Sequence, residues 1–372
     1  MKKLRFDCVI NAGEMSGDHR RVQDLMSSIG ADDSYVFVHH SGLRKIGEIP
    51  RIVRILKSSR ADFVYVEGTG VVGGSAAILA HILSHGRVRY LISSGDAASR
   101  FITNMAGPLL GYGVGVFERI LYANAFAFIG WTPYLVGRAI RMGAKRGVTV
   151  EGFVPPSFTA RPESHSAGND VRTAYGIPDE AIVVCVSGSL KWSKRQKYTY
   201  GLELINAAKM VERSDVRFLV VGDGSGLSLL KEGARDDSRF VFTGQVQHSQ
   251  MPDLMAAVDV AVISQTPDEL GMLRLTTKLP EYLSAGVPVV VPAIPGALDY
   301  LCLGPRSPAW FLQAAHPASE SYARSLAAWI SNADLGDLQS RRESATTIAR
   351  TRFDISILGQ RLAAFLEAED DR

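Results

Sequence analysis

Thr276 to Pro292 reads TTKLPEYLSAGVPVVVP. Leu279, Tyr282 and Leu283 can share one buried face at helical spacing, Pro280 is tolerated only in a first turn, and Gly286 suits the position just past a last one. The apolar run that follows reads as a strand buried on both faces, as in a parallel sheet. A short, well-bounded helix feeding such a strand is half of a βαβ unit, and it sets the class as α/β.

The same alternation runs along the chain. FDCVINA, SYVFVH, DFVYVEG, RYLISSG and AFAFIG are strand candidates in the first half, and IVVCVSG, RFLVVGDG, FVFTG, VAVISQ and PVVVP in the second. Each set supports one doubly wound, Rossmann-like domain. Between them, VPPSFTARPESHSAGNDVRTAYGIP is the densest cluster of proline, serine and polar residues. The expected organisation is a domain over 1–155, a linker over 156–169, a second domain over 170–348, and a C-terminal helix within 349–372 that can pack back on the first domain. Two such domains are expected to face each other across a cleft, with ligands beyond the carboxyl ends of the strands.

A length of 372 residues, 46% hydrophobic and 21% charged, fits a globular protein of two domains. Cys8, Cys185 and Cys302 lie far apart without ligand-like spacing, which argues against a disulfide framework or a zinc site and for a reducing cytoplasm. The start MKKLRFDCVINAG lacks the long apolar stretch of a signal peptide. The charge-free runs GTGVVGGSAAILAHILSHG and ILYANAFAFIGWTPYLVG are broken by glycine, histidine, asparagine or proline, so they read as buried core and not as membrane spans. Residues 1–155 hold 19 Lys and Arg against 12 Asp and Glu, and the remainder 22 against 26. The first half is therefore expected to face something anionic.

Chemistry is sought in the loops after strands. RFLVVGDGSGLSLLKEG is a strand, a glycine turn and a helix, in which Gly222, Gly224 and Gly226 either let amides approach a phosphate or simply allow a tight turn. A nicotinamide site would need an acidic residue ending the next strand; FVFTGQV offers Thr243 and Gly244, which weighs against a dehydrogenase. Lys278 and Glu281 are neighbours at i and i+3. Glu281 can accept two ribose hydroxyls in charge-assisted bonds of about 1.5–3 kcal/mol each, whereas a surface ion pair at this spacing is worth only about 0.2–0.5 kcal/mol.

VVGDGSG, then FVFTGQVQHSQMPDLMAAVDVAVISQ, then KLPEYLSAGVPVVVP resemble, in order and spacing, the nucleotide-binding half of the retaining glycosyltransferases of family 4, over about residues 180–300. The resemblance implies a GT-B fold, a nucleoside-diphosphate sugar as donor, no cofactor and no catalytic metal, and Glu281 on the donor ribose. It also implies donor contacts from Gly188, Gly222, Gly224, Thr243, Gly271, Met272, Leu273 and Lys278. The chain departs from the family twice. Leu273 occupies the position of the family's second glutamate, and TPDELG supplies Asp268 and Glu269 instead, which either reach the transferred sugar or only solvate a loop. Ser189 and Tyr200 stand where an arginine and a lysine usually neutralise the diphosphate, so Lys194 and Lys197 of the lengthened loop are the expected substitutes.

In the first domain, INAGEMSGDHRRVQDLM leaves a strand and enters a helix. Gly13, Glu14, Ser16 and Asp18 are the acceptor contacts that a GT-B enzyme would have there, with Glu67 of YVEGTGVVGG beside them. Asp96 in LISSGDAASRF joins Asp268 and Glu269 as a candidate catalytic carboxylate, although carboxylates after strands also serve as loop caps. AGEMSGD further resembles the start of lipid A disaccharide synthase, which the second domain does not follow. Arg44 to Arg60 holds six cations and only Glu48, with Ile49, Ile52, Val53 and Leu56 on one face. Such a helix either lies on an anionic bilayer or packs as a crossover helix with a solvated basic face. NMAGPLLGYGVGVF either lines a groove for a lipid acceptor or is buried.

The resulting expectation is a hexosyltransferase-type glycosyltransferase, cytoplasmic and peripheral to an anionic membrane. It moves a sugar to a glycan or lipid-linked acceptor with retention and binds no nucleic acid. The rivals are a nucleotide-sugar epimerase or hydrolase of the same fold, and a nucleotide-binding protein with degraded chemistry.

Overall fold

The computed structural model describes residues 3–39, 42–68, 70–154, 156–159, 165–302, 304 and 307–368. The first half runs β1 (Arg5–Ile10), α1 (Gly17–Ser28), β2 (Asp32–Phe37), a 3-10 segment (Gly42–Glu48), α2 (Ile49–Ser58), β3 (Phe63–Glu67), α3 (Val71–Leu83), β4 (Tyr90–Ser94), α4 (Ala98–Ala106), α5 (Pro108–Asn124), β5 (Ala127–Gly130), α6 (Pro133–Arg141) and β6 (Gly147–Thr149). After α7 (Pro156–Thr159) and α8 (His165–Ala174) come β7 (Ile182–Ser187), α9 (Leu202–Ala208), β8 (Val216–Val221), α10 (Leu227–Gly233), β9 (Phe240–Gly244), α11 (Met251–Ala256), β10 (Val260–Val262), α12 (Glu269–Leu273), α13 (Lys278–Ser284) and β11 (Val289–Pro292). The chain ends with α14 (Pro295–Leu301), β12 (Ala309–Leu312), α15 (Glu320–Ser331), α16 (Leu335–Ser340), α17 (Arg342–Arg352) and α18 (Ile355–Glu367).

The strands form two parallel six-stranded sheets, ordered β2-β1-β3-β4-β5-β6 and β12-β11-β10-β7-β8-β9. All ten strands read from the sequence are present. The two additional ones, β6 and β12, are edge strands of three and four residues, too short to show a period. Central strands such as β7 and β11 are buried along their whole length, which is why their sequences are unbroken apolar runs. Each sheet has one point where the strand order reverses, between β1 and β3 and between β7 and β10. Ligand sites of open α/β sheets lie at such reversals.

Two compact units hold these sheets: Met1–Gly152 with Leu273–Leu275 and Asp354–Arg372, and Phe153–Met272 with Thr276–Phe353. The stretch read as a linker belongs to the second unit and is helical in α7 and α8; residues 160–164 of it lie outside the described residues. In the first unit, α18 packs on α1, and Gly359 passes so near Ser28 that a Cβ there would stand 2.4 Å from the hydroxyl oxygen. Arg361 pairs with the buried Glu151 at 2.7 Å across the same seam. The basic helix α2 turns Ile52, Val53 and Leu56 into the core, as a crossover helix does, and leaves its basic face outward. The NMAGPLLGYGVGVF segment makes the end of α4 and the start of α5; its Met105, Leu109, Leu110, Tyr112 and Val116 are exposed, while Phe117 packs against the core. A buried ion pair, Arg138 to Glu118 at 2.7 Å, joins α6 to α5, and Arg138 also donates to Ser99 of α4 at 2.7 Å.

Candidate active site

In the second unit the loops after β7 and β10 flank the strand reversal, and α13 reaches the first of them. Its Tyr282 hydroxyl is 3.0 Å from the Ser187 amide nitrogen and 2.7 Å from Ser187 Oγ, at the carboxyl end of β7. Pro280 sits in the first turn of α13. The helix ends in a Schellman motif, with Val287 N–H donating to Tyr282 O, Gly286 N–H donating to Leu283 O, and Gly286 at φ +70°. Glu281 is thereby held 8% exposed, with Lys278 Nζ at 2.9 Å from Oε2. Lys278 also bears on β7: burial pushes the Cys185 thiol up, and Lys278 opposes that rise.

The glycine turn after β8 has a packing role. A Cβ on Gly222 would stand 2.0 Å from Gly188 O, and one on Gly224 2.5 Å from the Leu190 carbonyl carbon. The Gly222, Gly224 and Gly226 amides donate to Gly244 O, Asp223 Oδ1 and Leu190 O. The tight-turn reading therefore accounts for these glycines, and their amides are already engaged within the unit. Gly188 N–H likewise donates to Val221 O. Thr243 is half-buried and gives its hydroxyl to Gly244 O.

The lengthened loop after β7 carries Lys194 and Lys197 exposed on a small hairpin closed by the Ser193–Tyr198 bridge, with Lys197 at φ +49°. Its base is fixed by Glu203, a fully buried carboxylate of α9. Oε2 accepts from Tyr198 Oη at 3.0 Å and from Gly201 N–H at 3.1 Å, and Oε1 accepts from Ser264 Oγ at 2.5 Å, beyond β10. Burial raises the Glu203 carboxyl above its usual range, and these donors oppose the rise. The sequence reading passes over Glu203, although a lone acid in the apolar GLELINAA segment is a usable signal.

Of the expected catalytic carboxylates, Asp268 is a helix cap: Oδ1 accepts from Gly271 N–H at 2.9 Å and from Thr266 Oγ1 at 2.8 Å. Glu269 is exposed in the first turn of α12, and Met272, at the end of the second unit's stretch, is exposed as well. Leu273 and Asp96 belong to the first unit. Leu273 is half-buried against that unit's core, and its carbonyl accepts from Thr132 Oγ1 at 2.6 Å. Asp96 is ion-paired with Arg274 at 3.0 Å.

The first unit gathers a second polar cluster at the carboxyl ends of its strands. Arg21 of α1 stacks over Trp131 at 4.1 Å, donates to Glu151 O and Val150 O, and lies 3.8 Å from Glu67 Oε1. Glu67 is buried, and burial raises its carboxyl while Arg21 opposes. The Tyr65 and Ser93 hydroxyls draw near the same carboxyl, yet neither they nor Glu67 Oε2 closes a hydrogen bond of normal geometry. A direct acceptor contact expected of Glu67 does not fit this burial. Gly13, Glu14 and Asp18, by contrast, are exposed, and Ser16 caps α1 by accepting from His19 N–H. Desolvation of its carboxyl end raises Asp18 even though the residue is exposed as a whole; Arg21 opposes, and Asp96 adds to the rise.

Residues 181–332 match the family described as glycosyl transferases group 1. The chain is 28% identical over 135 residues to the 2-deoxystreptamine glucosyltransferase of Streptomyces kanamyceticus, covering 35% of this chain and 32% of that protein. It is 36% identical over 85 residues to the 2-deoxystreptamine N-acetyl-D-glucosaminyltransferase of Streptomyces fradiae, covering 22% and 19%. These matches thus span less than a third of either curated relative. Over its whole length the chain is similar to the crystal structure of HepE of Anabaena in complex with UDP and glucose, with a TM-score of 0.72 at 16% identity, covering 98% of this chain and 100% of that one. The chain therefore has the GT-B fold, and the stretch matched by glycosyl transferases group 1 is the one that carries Lys278 and Glu281.

Proposed function

We propose that this chain is a glycosyltransferase that moves a hexose-type sugar from a nucleoside-diphosphate sugar to a glycan or lipid-linked acceptor, with retention, as a family 4 enzyme. The observation that carries the reading is the buried Glu281 paired with Lys278, beside the strand reversal of the second unit and inside the family-matched stretch. A buried carboxylate with one cation has acceptor capacity left for two ribose hydroxyls. HepE is described with UDP and with UDP-glucose, which supports a uridine-diphosphate sugar as the first donor to try.

In this reading the bond from the anomeric carbon to the diphosphate oxygen breaks, the acceptor oxygen bonds to that carbon, and the leaving phosphate takes the acceptor's proton. Lys194, Lys197 and Lys278 offset the charge gathering on the diphosphate, so the step calls for no metal ion and no cofactor. Glu269 serves the transferred sugar, while Asp268 shapes its loop. Gly13, Glu14, Ser16 and Asp18 meet the acceptor, with Glu67 acting through Arg21 as a positioning residue. The setting is cytoplasmic, at an anionic membrane surface. Among the described residues no helix is long and apolar enough to cross a membrane.

Thermal melts with UDP, GDP, ADP, dTDP and NAD test the donor half. A nucleoside diphosphate at about 100 times its Kd adds about 2.7 kcal/mol to the unit that binds it. A rise with one of these nucleotides, lost in Glu281→Ala, is the expected result. A rise with NAD alone, or with nothing at saturating concentration, would overturn the reading. Donor turnover that proceeds equally without acceptor would make the enzyme a hydrolase or epimerase instead.

A further inference from the structure

We propose that the helical layer α2–α5 of the first unit docks on an anionic phospholipid bilayer, with the α4–α5 hairpin supplying the apolar contact and α2 the charge. This deepens the membrane contact in the preceding proposal and is independent of the transfer chemistry.

The first observation is apolar exposure. At the turn between α4 and α5, Met105, Leu109, Leu110 and Tyr112 are 60%, 83%, 59% and 74% exposed. Leu109, Tyr112, Val116 and Ile120 recur at helical spacing, so the outer stripe of α5 is apolar along its length. Leu79, Ile82 and Leu83 add to this on α3, which packs between α2 and α5. Isolated apolar side chains on a surface are ordinary, but a run shared by adjacent helices marks a binding face.

The second observation is the sign of the charge around it. From Gly42 to Asn124 the helical segments contain only two carboxylates, Glu48 and Glu118. Both are buried and paired, with Arg51 and Arg138. The exposed charges of these segments among the described residues are therefore cations, including Arg44, Arg51, Arg54, Arg100 and Arg119. The face thus joins leucines and a tyrosine to arginines with no exposed acid between them, which complements the interface of an anionic leaflet, where acyl chains lie beneath phosphates. Because α2 spends its own apolar residues on the core, the two roles fall to different helices.

The test is co-sedimentation of the full chain with vesicles of phosphatidylcholine alone or mixed with phosphatidylglycerol, for wild type, Leu109→Ser/Leu110→Ser/Tyr112→Ser and Arg54→Gln/Arg119→Gln. Wild type should bind the mixed vesicles, weaken as salt rises and ignore the neutral ones, and each variant should bind at least about ten-fold less. Each variant should keep the wild-type far-UV circular dichroism spectrum and the wild-type melting profile of the first unit without ligand, which establishes that it folds and separates this test from that of the donor site. Failure of wild type to bind the mixed vesicles, or undiminished binding by either variant, would overturn the proposal. So would a dimer in sedimentation velocity that the triple serine variant turns into a monomer, since the face would then belong to a second copy.

Discussion

A single phenol joins the helix that carries Glu281 to the end of β7: Tyr282 Oη stands 3.0 Å from the Ser187 amide and 2.7 Å from its hydroxyl, all of them buried. Tyr282→Phe leaves that amide without its acceptor, at a cost of about 1–3 kcal/mol. It also loosens the neighbouring carboxylate. The urea midpoint should fall and nucleotide should bind more weakly. A midpoint and an affinity both equal to wild type would mean that Ser187 is satisfied by another group.

Gly222→Ala places a methyl group 2.0 Å from Gly188 O, backbone against backbone, where no rotamer can give way. Overpacking of this kind costs about 1–3 kcal/mol or more. The second unit's melting temperature should drop and its nucleotide shift should shrink. Gly17→Ala is the control: a Cβ there meets nothing within 4 Å, and the first unit should melt as wild type or slightly higher.

Arg138→Met strands Glu118, which keeps the Ala98 amide and the Tyr122 hydroxyl but loses the cation paired with it. Losing one partner of a buried pair costs about 3–5 kcal/mol. Arg138→Met combined with Glu118→Leu should recover a large part of that loss in denaturant unfolding. Additive losses would show that the two side chains are not coupled.

Glu203 and Glu67 carry carboxyls raised by burial, against about 4.3 for an unfolded glutamate. Between the unfolded value and the raised one, the native state holds a proton that the unfolded chain has released. Stability therefore falls as pH rises through that window, and levels off above it. Glu203→Gln should flatten this part of the profile for the second unit, and Glu67→Gln for the first. Urea unfolding at stepped pH measures both, and a slope unchanged in a variant would assign it to other groups.

The sequence carried most of the fold because parallel strands buried on both faces leave unbroken apolar runs, as in IVVCVS and VVVP. The edge strands GVT and AWFL stayed hidden, since three or four residues show no period. At the site, the Lys278–Glu281 pair was legible from helical spacing alone. The reach of Glu203 to Ser264 and the approach of Gly222 to Gly188 were not legible, because each depends on groups brought near by the fold, whereas the Asp268 cap, made by Thr266 and Gly271 of the same loop, was a local signal passed over.

The seam between α18 and α1 also sets an order of manufacture. The strands of the first unit are synthesised before the second unit, yet the helix that covers α1 follows that second unit. At ordinary rates of about 5–20 residues per second, the intervening stretch takes on the order of 10–40 s to translate. Throughout that interval the first unit waits with α1 uncovered while the second is made. A chain cut short anywhere within the second unit leaves this opening permanent, so a break in one unit is felt as instability in the other.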